Sequence, residues 1–165
     1  MTLDPAHLLG GGALGDALER LLAAARPSRI VVGWATVELD RAEVEVGGLL
    51  GPGPVTITDA PPDRPLGAAC RLLRAADGRE VALLEPSTEG LLAAALARHG
   101  EGSLVAYLLS DGGAAERARM SGFTVASERD GPLGRQRLVL AGPRDGPFLI
   151  LAGLSDLAGL SDLAG

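Results

Sequence analysis

The sequence contains few of the side chains that carry enzyme chemistry. It has one cysteine, two histidines, one tryptophan, one tyrosine and two phenylalanines among 165 residues, and all of its 15 basic residues are arginine. Without lysine, the chain can form neither a lysine Schiff base nor a Walker-type phosphate loop. A single cysteine excludes an intrachain disulfide and any zinc finger. The composition therefore excludes several classes of function and indicates none.

Charge and hydropathy argue against two further classes of protein. The formal net charge is -6, whereas nucleic-acid-binding domains usually present a basic face. No apolar run approaches the roughly 20 residues that a membrane helix needs. The N-terminus, MTLDP, lacks a basic segment followed by an apolar stretch, so no secretory signal is expected. We therefore expect a cytoplasmic protein that binds neither nucleic acid nor membranes.

Hydrophobic periodicity predicts an α+β protein. Residues 39–46 fit a short helix or an extended segment, and the Gly- and Pro-rich residues 47–66 leave room for a short strand at 55–58. Ser87 or Thr88 is the expected N-cap of a helix that Gly100 ends. The helices predicted with them cover 13–25, 89–98 and 113–120, and the strands cover 29–38, 67–74, 79–85, 104–109, 123–128, 135–141 and 147–151.

Short motifs recur between the two halves of the chain. Pro-Leu-Gly at 65–67 returns at 132–134, and Asp77-Gly78 before an aliphatic strand returns as Asp145-Gly146. We infer an internal duplication that produces two β-α-β-β-β modules around a cleft. The predicted organisation is an N-terminal helical extension (1–28), a first module with a linking helix (29–102), a second module (103–152) and a tail (153–165). The tail repeats LSDLAG and is expected to be disordered, with a docking role as the alternative.

Three segments resemble the vicinal oxygen chelate superfamily. VALLEPSTEGLLAAALARHGEGSLVAYLLSD (81–111) is similar to the linking region of methylmalonyl-CoA epimerase-like proteins. RIVVGWATVELDRA (29–42) and GRQRLVLAGPRDGPFLIL (134–151) look like the superfamily's opening strand and closing hairpin. The resemblance implies paired β-α-β-β-β modules. It also implies a cleft in which relatives bind a divalent metal.

The positions that hold the family's metal ligands carry apolar residues here. The two histidine ligands of the family fall on Val31 and Leu104, and its two acidic or amide ligands fall on Ala82 and Ile150. None of these side chains has a lone pair to offer a metal. In the epimerases the last of these ligands is also implicated in proton transfer. The resemblance therefore implies a chelate fold without its metal, without a cofactor and with no catalytic residue that can be named.

Strand alternation predicts the remaining lining of this cleft. Side chains two residues from the ligand positions share their face of the sheet, and they are small or apolar. Arg71, Arg135 and Arg137 lie on strands beside the cleft, where an inward-facing guanidinium would bind a carboxylate or phosphate. The lining predicted besides the four ligand positions and the three arginines comprises Gly33, Ala35, Leu84, Ala106 and Phe148.

Other notable residues have structural interpretations. The alternation places Trp34 and Tyr107 on the opposite faces, beneath the helices. Cys70 is expected to be a buried, inert thiol. Glu85 and Glu101, within the LLEP and GEG segments, are expected to stabilise turns and helix ends.

Three functional hypotheses remain open. The first is a metal-independent, glyoxalase-like protein that binds a small, largely apolar molecule or acts as a non-catalytic scaffold. The alternative is a lyase or isomerase of the epimerase kind, acting on a carbonyl or CoA-linked substrate and using the arginines for electrostatic stabilisation. The third is a cleft packed as a core, with the outer sheet edge as an interaction surface. A homodimer is expected because many relatives pair modules across subunits.

Overall fold

The computed structural model describes residues 13–141 and 146–153. The LSDLAG repeats and the first 12 residues of the predicted extension lie outside this part of the chain. The described part is a mixed α/β structure with helices α1 (Ala13–Ala25), α2 (Leu39–Leu49), α3 (Leu91–His99) and α4 (Ala114–Met120). Its strands are β1 (Arg29–Ala35), β2 (Val55–Asp63), β3 (Ala68–Ala75), β4 (Glu80–Pro86), β5 (Gly102–Ser110), β6 (Arg129–Gly131), β7 (Gly134–Val139) and β8 (Phe148–Gly153).

The eight strands form one sheet whose two ends approach each other. The strand order is β2-β3-β4-β1-β5-β8-β7-β6, with antiparallel β1 and β5 at the centre. β4 lies parallel to β1, and β8 lies parallel to β5. The Arg64 N–H donates to the Asp130 carbonyl at 3.4 Å, which joins the ends of β2 and β6. The sheet is therefore curled and nearly closed.

Helices α1, α2 and α4 cover the outer surface of the curled sheet, whereas α3 packs against the inner-face cluster through Leu92 and Ala95. Trp34 is buried with Val46 of α2, as expected for a side chain beneath a helix. Leu21 of α1 and Ala118 of α4 pack with Val32 and Leu149 on the outer face of the second half. A separate apolar cluster fills the inner face. Burial on both faces explains why β1, β4 and β5 are nearly continuous apolar runs.

Two local predictions were wrong. Residues 123–128 do not form a strand: they make one isolated bridge, Val125 to Val139, and the continuous ladder starts only at β6. Helix α3 begins after Gly90 with no side-chain cap. The Leu92 N–H donates instead to the Leu66 carbonyl at 3.2 Å. A backbone group from a distant turn therefore takes the place of the expected Ser87 or Thr88 cap.

The recurring glycines share a backbone conformation. Gly67 and Gly134, which end the two Pro-Leu-Gly motifs, have φ of 70° and 100°. Gly78 and Gly146 have φ of 89° and 77°. Such angles favour glycine over any residue with a Cβ atom. The repeated letters thus mark turns that precede strands in both halves.

None of the helices in the described ranges is long and apolar enough to cross a membrane.

Candidate functional site

The inner face of the sheet gathers most of the residues predicted to line a cleft. The side chains of Leu84 and Ile150 are completely buried there, together with Leu66 and Leu92 from a turn and a helix outside the sheet. Of the predicted lining, the residues found in this interior are Val31, Gly33, Ala35, Ala82, Leu84, Leu104, Phe148 and Ile150.

The predicted alternation of β5 is wrong beyond its first residues. The register between β1 and β5 shifts at Gly33 and Trp34, which leaves Leu104 as an extra residue in β5. A bulge of this kind reverses which face each later side chain occupies. Ala106 accordingly packs on the outer face, and Tyr107 points into the interior, the opposite of the prediction.

The interior is filled by the protein's own side chains. A Cβ atom added at Gly33 would lie 2.6 Å from the Cβ of Val105 and 3.1 Å from a ring carbon of Tyr107. Real Cβ atoms essentially never approach within 2.6 Å of another atom, so the absence of a side chain at Gly33 is needed for this packing. The part of the fold expected to be a cleft is therefore a core.

A cluster of polar side chains lies inside this apolar core. The Asp63 carboxylate, completely buried at the end of β2, accepts a hydrogen bond from the Tyr107 hydroxyl at 2.6 Å and one from the Gln136 amide at 2.9 Å. The Leu66 N–H donates to its other oxygen at 3.0 Å. One carboxylate thus connects β2, β5 and β7 across the interior.

Burial controls the ionisation of this cluster. Desolvation raises the pKa of Asp63, and the hydrogen bonds from Tyr107 and Gln136 act in the opposite direction. Burial, with the Asp63 charge, raises the pKa of Tyr107 well above its ordinary value of 10.0, so Tyr107 keeps its proton and donates it. Burial also raises the pKa of Cys70 to about 12, which agrees with the prediction of an inert thiol.

Gln136 has a tightly fitted position. Its Oε1 atom is buried without a hydrogen-bond partner among the described residues. A Cβ atom added at Gly131 would lie 2.0 Å from that oxygen, so the amide rests directly against the glycine backbone.

Sequence reasoning missed this polar cluster. Asp63 and Asp130 begin the two copies of an Asp-x-Pro-Leu-Gly motif, yet Asp63 is buried and the Asp130 side chain is 70% exposed. The motif can be found in the sequence, but nothing in its residues indicates that Asp63 faces the interior and Asp130 faces outward.

Arg71 lies outside the interior. It pairs with Asp40 at 2.6 Å and Glu43 at 2.8 Å, both on helix α2, and with Asp59 at 3.3 Å. These acidic partners on the outer face hold the guanidinium away from the core. The condition for a cleft role, an inward-facing side chain, is not met.

Arg135 and Arg137 also lie on the outer face. Glu128 binds Arg135 at 2.7 Å and Arg137 at 3.5 Å. These three side chains line a surface pocket of about 240 Å³ beside Ala114 and Ala115 of α4. The structure therefore brings these two arginines together and separates them from Arg71 and from the apolar lining.

A larger pocket lies at the start of the paired strands β1 and β4. It has a volume of about 440 Å³, and Ile30, Val31, Val32, Leu50 and Val81 contribute to its wall. Glu80 and Arg79 lie at the same site. Val31 thus contributes both to the core and to an accessible cavity.

Glu101 and Glu85 have the structural roles expected of them. Glu101 accepts hydrogen bonds from the Thr36 hydroxyl and the Val37 N–H, both at 2.8 Å, and from Arg41 at 2.7 Å. Arg41 and these donors lower the pKa of Glu101 to about 2. Glu85 accepts the Leu39 N–H at the start of α2 at 2.8 Å.

No three His, Cys, Asp or Glu side chains are grouped to hold a metal ion within 13–141 and 146–153.

Comparisons with known proteins establish the fold alone. No protein-family model and no curated protein sequence matches the chain. Its structure is similar to that of the hypothetical protein BH1468 from Bacillus halodurans C-125, with a TM-score of 0.59 and 17% identity over 76% of this chain and 93% of that chain. It is also similar to a "putative hydrolase" from Shewanella frigidimarina NCIMB 400, with a TM-score of 0.54 and 10% identity over 93% of both chains.

Proposed function

We propose that this protein is a vicinal oxygen chelate-like scaffold that works without a metal and without catalysis. Its two modules would be β1-α2-β2-β3-β4 and β5-α4-β6-β7-β8, preceded by the N-terminal helix α1. The strand order supports this proposal, because each half places its first strand at the centre of the sheet and its fourth strand beside it, in parallel. The recurring positive-φ glycines support the internal duplication.

The observation that carries the proposal is the filled interior. Val31, Ala82 and Ile150, at three of the positions expected to hold metal ligands, are buried apolar residues of one core cluster. Tyr107 and Gly33 pack into the same space without room for an added methyl group. A substrate would have to displace the hydrophobic core, which costs about 25 cal/mol for each Å² of apolar surface exposed.

Metal analysis tests this proposal directly. Purified protein should contain no stoichiometric divalent ion, and Mn²⁺, Co²⁺, Ni²⁺ or Zn²⁺ should leave its melting temperature unchanged. The variant His99→Ala is the control for metal bound by a surface imidazole. One equivalent of metal that remains bound in His99→Ala would contradict the proposal.

A small apolar ligand would bind at the β1–β4 pocket. Its volume of about 440 Å³ and its aliphatic wall favour this site over the core. Native mass spectrometry of the purified protein should detect a bound small molecule, and Ile30→Trp, at a half-buried position of the pocket wall, should abolish it by filling the cavity. A Leu140→Trp variant adds an indole to an exposed position and is the control. Absence of a bound species in the wild type would favour the pure scaffold.

Nothing in the contacts favours the epimerase-like alternative. The arginines that it requires are engaged by Asp40, Glu43 and Glu128 on the outer face. An assay of epimerisation on a CoA thioester, with no turnover expected, tests it.

Homodimerisation is proposed through the sheet edge formed by β2. Ile57 on this edge strand is 46% exposed, and β2 has a partner strand on one side only along residues 55–60. Unpaired strand edges promote association. Sedimentation should detect a dimer of the wild type, and the Ile57→Lys variant should dissociate more readily. A wild type that sediments as a monomer would contradict this proposal.

A further inference from the structure

Asp63 is held by donors from three separate parts of the fold. The Tyr107 hydroxyl comes from β5, the Gln136 amide from β7, and the Leu66 N–H from the turn after β2. Tyr107 and Gln136, which lie 44 and 73 positions from Asp63 along the chain, therefore converge on its carboxylate. No ion pair of Asp63 is found within the described residues.

The geometry is that of a site for a carboxylate anion. The 2.6 Å distance between Tyr107 Oη and Asp63 Oδ2 falls in the range of O–H···O⁻ hydrogen bonds. The two side chains that donate to Asp63 are themselves buried: Tyr107 is 0% exposed and Gln136 is 1% exposed. Gly131 fixes the amide of Gln136 by leaving space that a Cβ atom would occupy. Buried donors aimed at one point would be costly if the anion were absent.

We propose that Tyr107, Gln136 and the Leu66 N–H form a binding site for a small carboxylate, which Asp63 of the same chain occupies. Removal of the Asp63 side chain opens this site to an external carboxylate of similar size. In the intact chain the tethered carboxylate has a high effective concentration, so a free one does not displace it. The inference uses only these contacts and does not depend on the proposed scaffold function.

Chemical rescue tests the site. Asp63→Ala should melt at a lower temperature than the wild type, and sodium formate should raise its melting temperature by several degrees in a saturable manner. Sodium chloride at the same concentration controls for ionic strength, and formamide controls for a neutral molecule of similar shape. The wild type should not respond to formate.

A matched variant controls for loss of a carboxylate elsewhere. Asp130→Ala removes the corresponding aspartate of the second motif, which is exposed, and should show no formate-specific stabilisation. The double variant Asp63→Ala/Tyr107→Phe should lose most of the rescue, because the shortest hydrogen bond is gone.

Each outcome decides the proposal. A formate response of Asp63→Ala no greater than that of Asp130→Ala overturns it. If Asp63→Ala is unfolded, formate must restore its folded circular dichroism spectrum, and failure to do so overturns the proposal as well. A response that survives in the Tyr107→Phe double variant contradicts the assigned donors.

Discussion

Single residues decide whether the interior is a cleft or a core. Gly33 lies where the central strands β1 and β5 meet, and its missing side chain lets Val105, Leu84 and Tyr107 close the space. Asp63 supplies the buried carboxyl group that Tyr107 and Gln136 bind in this core. Gly33 was predicted to line an open cleft, and Asp63 lies in a connection for which no site was predicted.

Gly33→Ala should lower the free energy of unfolding by about 1–3 kcal/mol, the usual effect of overpacking. The added methyl group would meet Val105 at 2.6 Å and force a backbone shift. Urea denaturation measures the change. Gly47→Ala, where nothing lies within 4 Å of the added Cβ atom in helix α2, is the control and should stabilise by about 0.5–1 kcal/mol. If Gly33→Ala raised the free energy of unfolding as much as Gly47→Ala does, the interior would be open at this position.

Asp63→Asn should change how stability depends on pH. Burial raises the pKa of Asp63 in the folded protein, so folding favours the protonated acid. This contribution is complete below the unfolded pKa of about 3.9 and is lost as the pH rises through the folded pKa. The stability of Asp63→Asn relative to the wild type should therefore increase from pH 3 to pH 7 in urea titrations. Asp130→Asn is the control for loss of one acidic group, and a difference that stays constant with pH would refute the expectation.

At the scale of elements, contacts between distant segments determine where helices and strands join. The corner between β1 and α2 is held by Glu101 from the segment that starts β5, and the start of α3 is held by a carbonyl from the turn at Leu66. The bulge at Leu104 then sets which face of β5 is inward. These junctions determine the lining more than the composition of any one strand does.

Glu101→Gln should lower the free energy of unfolding at pH 7 by about 1 kcal/mol, because it weakens charge-assisted hydrogen bonds to Arg41, Thr36 and Val37. Since the folded pKa of Glu101 is about 2, the wild type keeps this contribution above the unfolded pKa and loses it as the pH falls from about 5 towards 2. The two proteins should converge in acid denaturation curves. Glu45→Gln, which removes an exposed partner of the same arginine, is the control and should have a smaller effect.

At the scale of the whole molecule, the two halves share one sheet and one interior. β1 and β5 pair along their length, and Asp63 from the first half is bonded to Tyr107 and Gln136 from the second. Neither half buries its inner face alone.

The chain should therefore unfold in one cooperative transition, although short motifs recur between its two halves. Calorimetry should give equal calorimetric and van't Hoff enthalpies. Gln136→Leu removes one bond between the halves and should lower the melting temperature while the transition stays single. Two separate transitions in the wild type would show that the halves are independent units.

Much of the fold could be predicted from local patterns. Alternation and periodicity located β1, β3, β4, β5, β7 and β8 and three helices to within a few residues, because each depends on neighbours along the chain. The residues at 123–128 were wrongly predicted as a strand, since Phe123 and Val125 pack outward and the segment makes one isolated bridge instead of a continuous ladder.

The sequence by itself located most of the strands and three helices, the glycine turns and the apolar character of Val31, Ala82 and Ile150. Only the tertiary structure decided that Tyr107 faces inward, that the arginines face outward and that Asp63 lies buried among its donors. The physical reason is the distance along the chain over which each feature is determined. Periodicity records which face of one segment is apolar, whereas a bulge at Leu104 and hydrogen bonds across the closed sheet depend on segments that meet only when the chain is folded.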